Sequence, residues 1–215
     1  MYLTRMELDT DKRNTRKLLS SRSKIHGMVE SAFPTERKRH LWRLDMLNGK
    51  LYLLILSEEK PKLDTVVQEY GNVEEGYASK EYRTLLSRVT EQSKWRFRLV
   101  ANPTRSISRA KEGKRGKVKA CITLLQQEEW LMERAEKYGF SLIEDEVHVV
   151  GNTWHHFYKQ DEKENHVAIR EVSYEGILTV VNPEKFKILL CKGIGRGKAY
   201  GMGMLTIVSL IGGKG

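Results

Sequence analysis

The spacing of apolar residues in this chain changes from every second position to every third or fourth and back, and it does so in the same order twice. Tyr2, Leu3, Met6 and Leu8 fit a half-buried strand over Tyr2 to Leu8. Asp11 or Asn14 then caps a helix in which Leu18, Ile25, Met28, Val29, Ala32 and Phe33 share a face, and Pro34 stops it. Leu41 to Met46 and Leu51 to Ser57 read as strands joined at Asn48-Gly49, a pair that tolerates the positive φ of a two-residue hairpin turn. Glu81 to Gln92 reads as a second helix, with Tyr82, Leu85, Leu86 and Val89 on one face, and Trp95 to Val100 alternates as a fourth strand.

The second half starts the pattern again. Val118 to Thr123 reads as a strand, Glu128 to Tyr138 as a helix ending at Gly139, and Val147 to Val150 and Ile177 to Val181 as strands. Asn182 caps a further helix, with Pro183 in its first turn and Phe186, Leu189 and Leu190 buried, ending at Gly193; Met204 to Leu210 is the last strand. Two βαββαβ units imply an α+β fold of two four-stranded antiparallel sheets, each with helices on one face. A length of 215 residues accommodates two domains of about 100 residues each. The expected division is 1–101, a basic linker or hairpin at 102–117, and 118–215.

Composition narrows the partners. Hydrophobic residues make up 40% and charged residues 31%, which is the balance of a globular protein and not of a disordered tail. The longest apolar stretches, Leu51 to Leu56 and Met204 to Ile211, fall far short of the roughly 20 residues that cross a bilayer, and the first residues lack a signal core, so no membrane is expected and the location reads as cytoplasmic. A formal charge of +10 favours a polyanion, with nucleic acid ahead of an anionic membrane surface. The charge is also clustered. Seven basic residues (Arg105, Arg109, Lys111, Lys114, Arg115, Lys117, Lys119) stand against one acid between Asn102 and Lys119, ten against two between Lys12 and Arg43, and six against none from Lys185 onward.

Within the last of these runs, Gly193, Gly195, Gly197, Gly201 and Gly203 are interleaved with Lys192, Arg196, Lys198 and Tyr200. Glycines free to take positive φ let backbone N–H groups approach phosphate oxygens while the cations neutralise charge. These glycines follow a helix and precede a strand, the reverse of a dinucleotide-binding fingerprint, and the P-loop spacing fails because Ala199 follows Lys198. Cys121 and Cys191 form neither a disulfide framework nor a zinc spacing and read as buried thiols. Adjacent His155-His156 is a poor chelating pair, so neither a metal nor a cofactor is expected. His26 is set apart by its cationic turn, with Arg22, Ser23 and Lys24 before it.

The run Gly193 to Leu205 (GIGRGKAYGMGML) resembles the C-terminal signature of the CasE (Cse3) family, the repeat-RNA endoribonucleases of type I-E CRISPR systems. Met1 to Thr4, the segment from His26 to Pro34, and Trp95 to Thr104 (WRFRLVANPT) are similar to that family's first strand, catalytic helix and fourth strand. The resemblance implies paired ferredoxin-like domains. It also implies metal-independent cleavage beside the stem of a repeat hairpin, in which a 2′-hydroxyl attacks its own phosphate and leaves a 2′,3′-cyclic phosphate and a 5′-hydroxyl. His26 matches the family's histidine, as general acid or base. Where the family often has a tyrosine three residues before the histidine this chain has Ser23, so Ser23 and Lys24 are candidate auxiliaries. The candidate RNA contacts are Arg22, Arg105, Arg109, Lys114, Arg115, Lys117, Lys119, Lys192, Arg196 and Lys198, with retention of the product guide and further subunits of a CRISPR complex as implied partners. The alternative is a non-catalytic RNA-binding subunit of such a complex.

Overall fold

Leu47 and Lys50 pair across Asn48 and Gly49, whose φ angles are both positive, at 51° and 77°, so the expected two-residue turn forms. It joins strands β2 (Leu41–Leu47) and β3 (Lys50–Ser57), and β3 pairs antiparallel with β1 (Tyr2–Leu8), placing Met6 opposite Leu53. The other edge of β1 carries β4 (Tyr77–Glu81), giving the order β2-β3-β1-β4. Helices α1 (Arg13–Leu19), α2 (Arg22–Ser31) and α3 (Asp64–Tyr70) complete the pattern, with a single further turn α4 at Arg83–Leu86. Met6, Leu8, Leu18, Ile25, Met28, Val29, Trp42, Leu53, Ile55, Val66 and Val67 form the core between sheet and helices. This computed structural model describes residues 1–34, 40–107, 117–158 and 166–210.

Three expectations for this half are corrected. The helix expected to run to Phe33 is two helices, because Ser21 is extended (φ −150°, ψ 127°) and the Ser20 hydroxyl donates to the Lys17 carbonyl at 2.7 Å, a local bond that competes with the helical ladder. Neither Asp11 nor Asn14 caps α1; Lys12 stands at its start and sends its ammonium to the carbonyls of Gln68 and Gly71 at 2.9 and 2.7 Å, capping the C-terminal end of α3. The second helix is α3, and Glu81 to Gln92 holds only the turn α4. Tyr82 and Val89 are buried as their spacing suggested, but from an irregular segment.

The strand over Trp95 to Val100 does not close the first sheet. It is β5 (Lys94–Ala101), which pairs with β9 (His166–Val180) on one edge and β10 (Leu205–Ser209) on the other, in a second sheet ordered β10-β5-β9-β8, where β8 is Phe140–Tyr158. Its own alternation is as expected, with Trp95, Phe97 and Leu99 buried. Period reveals a strand but not its partner, and these partners lie more than 70 residues away. Helices α5 (Leu124–Ala135) and α6 (Pro183–Lys192) serve this sheet. The Thr123 and Asn182 side chains accept the backbone N–H groups of Gln126 and Lys185, and Gly139 is left-handed at φ 79°. The expected strand Val118 to Thr123 is shorter: it is β7 (Lys117–Ala120), which pairs with β6 (Thr104–Ile107) as a separate two-stranded ribbon inserted between β5 and α5.

In both sheets the first strand of the unit lies between the third and fourth, and the second lies at an edge, which is the ferredoxin-like order. The chain divides into two units: Met1–Arg88 with Phe157–Val167 and Lys198–Met202, and Val89–His156 with Ala168–Gly197 and Gly203–Gly215.

Candidate nucleic-acid interface and active site

In the first unit α2 buries Ile25, Met28 and Val29, which turns Arg22, His26 and Glu30 along another stripe at four-residue spacing. The His26 side chain is 36% exposed, yet its Nδ1 is buried with no hydrogen-bond partner, so the solvent-facing edge of the ring carries Nε2. Glu30 Oε1 lies 3.9 Å from His26 Nδ1 and 3.2 Å from Nδ1 of His40. Arg22 places its guanidinium 6.0 Å from the centre of the Trp42 ring, which is fully buried in β2. The short 3₁₀ turn Lys198–Tyr200 packs against α2 and β2, so part of the glycine-rich run sits in the first unit beside the histidine's helix. Gly201 makes this approach possible. At φ +81° it lies against Trp42, and a Cβ there would come within 2.5 Å of the indole. Tyr200 is held by Phe157, ring centres 4.9 Å apart.

The auxiliaries divide. Ser23, half-buried, is three residues before His26 and shares its side of the helix. Lys24 projects about 160° around the helix from His26, and its ammonium reaches Ser20 Oγ at 3.2 Å and the Lys17 carbonyl at 3.3 Å. There it lines a 760 Å³ cleft with Lys17, Lys62 and Glu69, to which His26 does not contribute.

In the second unit the ribbon sorts its residues by the two-residue period of strands. Arg105 stands directly opposite Lys119 and Ile107 opposite Lys117, while Thr104 and Ser106 face Ala120 and Val118. Thr104, Ser106 and Val118 line a 250 Å³ cavity with Trp130, Arg134, Gly195 and Arg196. Arg196 is joined to the base of the ribbon by a backbone bridge to Asn102. Gly195, at φ +74°, lies against Trp130, and the Arg134 guanidinium stands 4.3 Å from the centre of that indole while donating to the Trp130 carbonyl at 2.7 Å. Lys192 is exposed in the last turn of α6. All five glycines of the run, Gly193, Gly195, Gly197, Gly201 and Gly203, have positive φ. Arg109, Lys114 and Arg115 lie outside the described residues.

Cys121 is buried, and burial pushes its thiol above the usual range; Cys191 is only partly covered, which corrects the expectation of two buried thiols. Among the described residues no three His, Cys, Asp or Glu side chains are grouped to hold a metal ion, and none of the helices is long and apolar enough to cross a membrane.

The family model described as CRISPR associated protein matches residues 1–208. A relative from Thermus thermophilus named CRISPR-associated endoribonuclease Cse3 is 31% identical over 222 residues, covering 96% of this chain and 99% of its own length. The chain belongs to the CasE (Cse3) family of CRISPR-associated proteins. A solved structure of the CRISPR endoribonuclease Cse3 bound to 19 nt RNA superposes with a TM-score of 0.81 at 27% identity, covering 97% of this chain and 100% of that one. The family member from Escherichia coli named CRISPR system Cascade subunit CasE is 29% identical over 117 residues, 53% of this chain and 57% of its own. Membership agrees with the paired ferredoxin-like architecture.

Against that family frame, sequence reasoning passed over Glu30, Trp42 and Arg134. Arg134 follows Trp130 by four residues, a spacing that announces a stacked pair on a helix. Glu30 follows His26 by the same spacing. Trp42 gave no signal, since its role depends on a glycine 159 positions away.

Proposed function

We propose that this chain is an endoribonuclease that cuts CRISPR precursor RNA beside the stem of the repeat hairpin. The 2′-hydroxyl oxygen forms a bond to the adjacent phosphorus while the bond from phosphorus to the 5′-oxygen breaks. The hydroxyl proton goes to a base and a proton is delivered to the departing oxygen, leaving a 2′,3′-cyclic phosphate and a 5′-hydroxyl with no water consumed. The nucleophile is internal to the substrate, so a metal-activated water is not required. His26 moves one of these protons through Nε2, Arg22 and Lys198 balance charge at the phosphate, and Ser23 stands as a hydrogen-bonding auxiliary. Lys24 serves this centre only through field and not by contact, given the bonds it makes elsewhere.

The observation that carries the reading is the state of His26: an imidazole whose accessible edge is Nε2, on a helix shared with Arg22 and packed by the glycine-rich turn. The ribbon supports RNA binding. Two cations directly opposite on paired strands repel each other, a cost that a phosphate backbone would relieve, and Arg105 and Lys119 are such a pair. Lys192, Arg196 and, beyond the described residues, Arg109, Lys114 and Arg115 extend the same reading. The names of the relatives, an endoribonuclease and a Cascade subunit, support RNA cleavage and assembly with further subunits; retention of the mature guide and a cytoplasmic location belong to the same proposal. The replacement of the family's frequent tyrosine by Ser23 favours a second reading, a non-cleaving RNA-binding subunit. Incubating the cognate repeat hairpin with the protein in EDTA and analysing the ends separates them: a cyclic phosphate supports cleavage as written, and intact but bound RNA supports the second reading.

A further inference from the structure

His26 Nδ1 is an orphan. It is buried beyond the reach of water and bonds nothing, whereas buried polar atoms in folded proteins are nearly always paired. The acceptor nearest to hand is the Glu30 carboxylate, one helical turn on and 3.9 Å away. That separation is too long for a hydrogen bond, but catalytic bonds are often long before substrate arrives and tighten in the complex.

Glu30 is not a loose surface acid. Its Oε1 is 3.2 Å from Nδ1 of His40, and His40 is itself fixed, 6% exposed and stacked face to face on Phe33 with ring centres 3.6 Å apart and planes within 8°. One carboxylate oxygen therefore lies between two imidazoles, fastened to one and within a small rotation of the other. Nothing in the mechanism above uses it.

We propose that Glu30 is a positioning residue for His26: its carboxylate accepts the Nδ1–H bond, fixes the tautomer that keeps the Nε2 lone pair outward, and is itself anchored by His40. The inference rests on the reading of His26 as the proton-transfer group and adds the group that aims it. An imidazole free in water favours the opposite tautomer, with the proton on Nε2, where it could not accept a proton from a 2′-hydroxyl. A carboxylate on the inner nitrogen removes that competition, and it stabilises the imidazolium formed once Nε2 has taken a proton, in the way a triad carboxylate does.

The test combines rates, binding and a spectroscopic signature in full-length protein. Single-turnover cleavage of the cognate repeat hairpin is compared for the parent, Glu30→Gln, Glu30→Ala and His26→Ala, with affinity measured on a hairpin carrying a 2′-deoxy nucleotide at the cut. Long-range ¹H–¹⁵N spectra at mildly alkaline pH then report which nitrogen of His26 is protonated, its signal being assigned by its loss in His26→Ala. In the parent the proton resides on Nδ1. Glu30→Gln, nearly isosteric and still an acceptor, keeps that tautomer and slows cleavage about tenfold, whereas Glu30→Ala moves the proton to Nε2 and slows it further, neither loss exceeding the roughly 10²- to 10⁴-fold contribution of general acid–base catalysis. Binding is unchanged in both variants. An Nε2–H tautomer in the parent, or Glu30→Ala cutting within about threefold of the parent while His26→Ala is inactive, overturns the inference and leaves His26 standing, since a proton-transfer contribution is far larger than that. His26→Ala cutting at the parental rate would instead remove the reading on which it rests.

Discussion

His26 turns one ring nitrogen inward and presents the other to solvent, so its removal and its burial have separable consequences. Substituting alanine deletes the proton-transfer group but none of the cations, and the account expects single-turnover cleavage to fall about 10²- to 10⁴-fold with RNA affinity nearly intact. Cleavage within about threefold of the parent would show that another group moves the proton. Gly201 tests packing at the same scale. A methyl there meets the Trp42 indole and requires φ +81° of an L-residue, so Gly201→Ala is expected to destabilise the first unit by about 2 kcal/mol or more. Denaturant unfolding followed through tryptophan emission measures it; an unchanged midpoint would mean that the turn does not pack on Trp42. The sequence made both residues visible, the histidine by its cationic company and the glycine by its run. It could not show what lies beside them, because Trp42 and Gly201 meet only through the fold.

Among the elements, the ribbon is where stability and function pull apart. Arg105 and Lys119 oppose each other across paired strands, and like charges so placed cost about 0.2 to 1 kcal/mol. Lys119→Glu turns this repulsion into an ion pair, so the variant should melt no lower than the parent yet bind RNA less tightly, with the slope of log K against log salt reduced. Neutralising Arg105, Lys117 and Lys119 together should flatten that slope by about 0.7 to 0.9 per lost phosphate contact. A slope that stays at the parental value would move the RNA to another surface. The elements that sequence pattern missed share a physical cause. Helix α3 has seven residues, too short to announce itself by propensity, and exists because Val66 and Val67 are buried and Lys12 caps its end. The break between α1 and α2 rests on the Ser20 hydroxyl taking the Lys17 carbonyl, a local choice that the uninterrupted apolar stripe conceals.

At the scale of the whole molecule, the plan of two four-stranded sheets with helices was legible, but the strands at the junction were misassigned: the first sheet takes β4 as its fourth strand, and Trp95 to Val100 opens the second sheet in the place expected of Val118 to Thr123. A strand's period is local and its pairing is not: β5 finds its neighbours β9 and β10 more than 70 residues further on. The same non-local folding carries Lys198–Met202 into the first unit with α2 while Gly193 to Gly197 remain in the second, so one glycine-rich run serves both.

The central claim is that the RNA supplies its own nucleophile and the protein supplies position, charge and a proton path. Replacing the 2′-hydroxyl by hydrogen at the single nucleotide upstream of the cut removes that nucleophile and spares nearly every phosphate contact. The account predicts that this hairpin binds with the affinity of the all-ribose RNA and is not cut, and that EDTA changes neither result. A deoxy-substituted hairpin cleaved at the same bond would mean that water attacks the phosphate, and would contradict the mechanism.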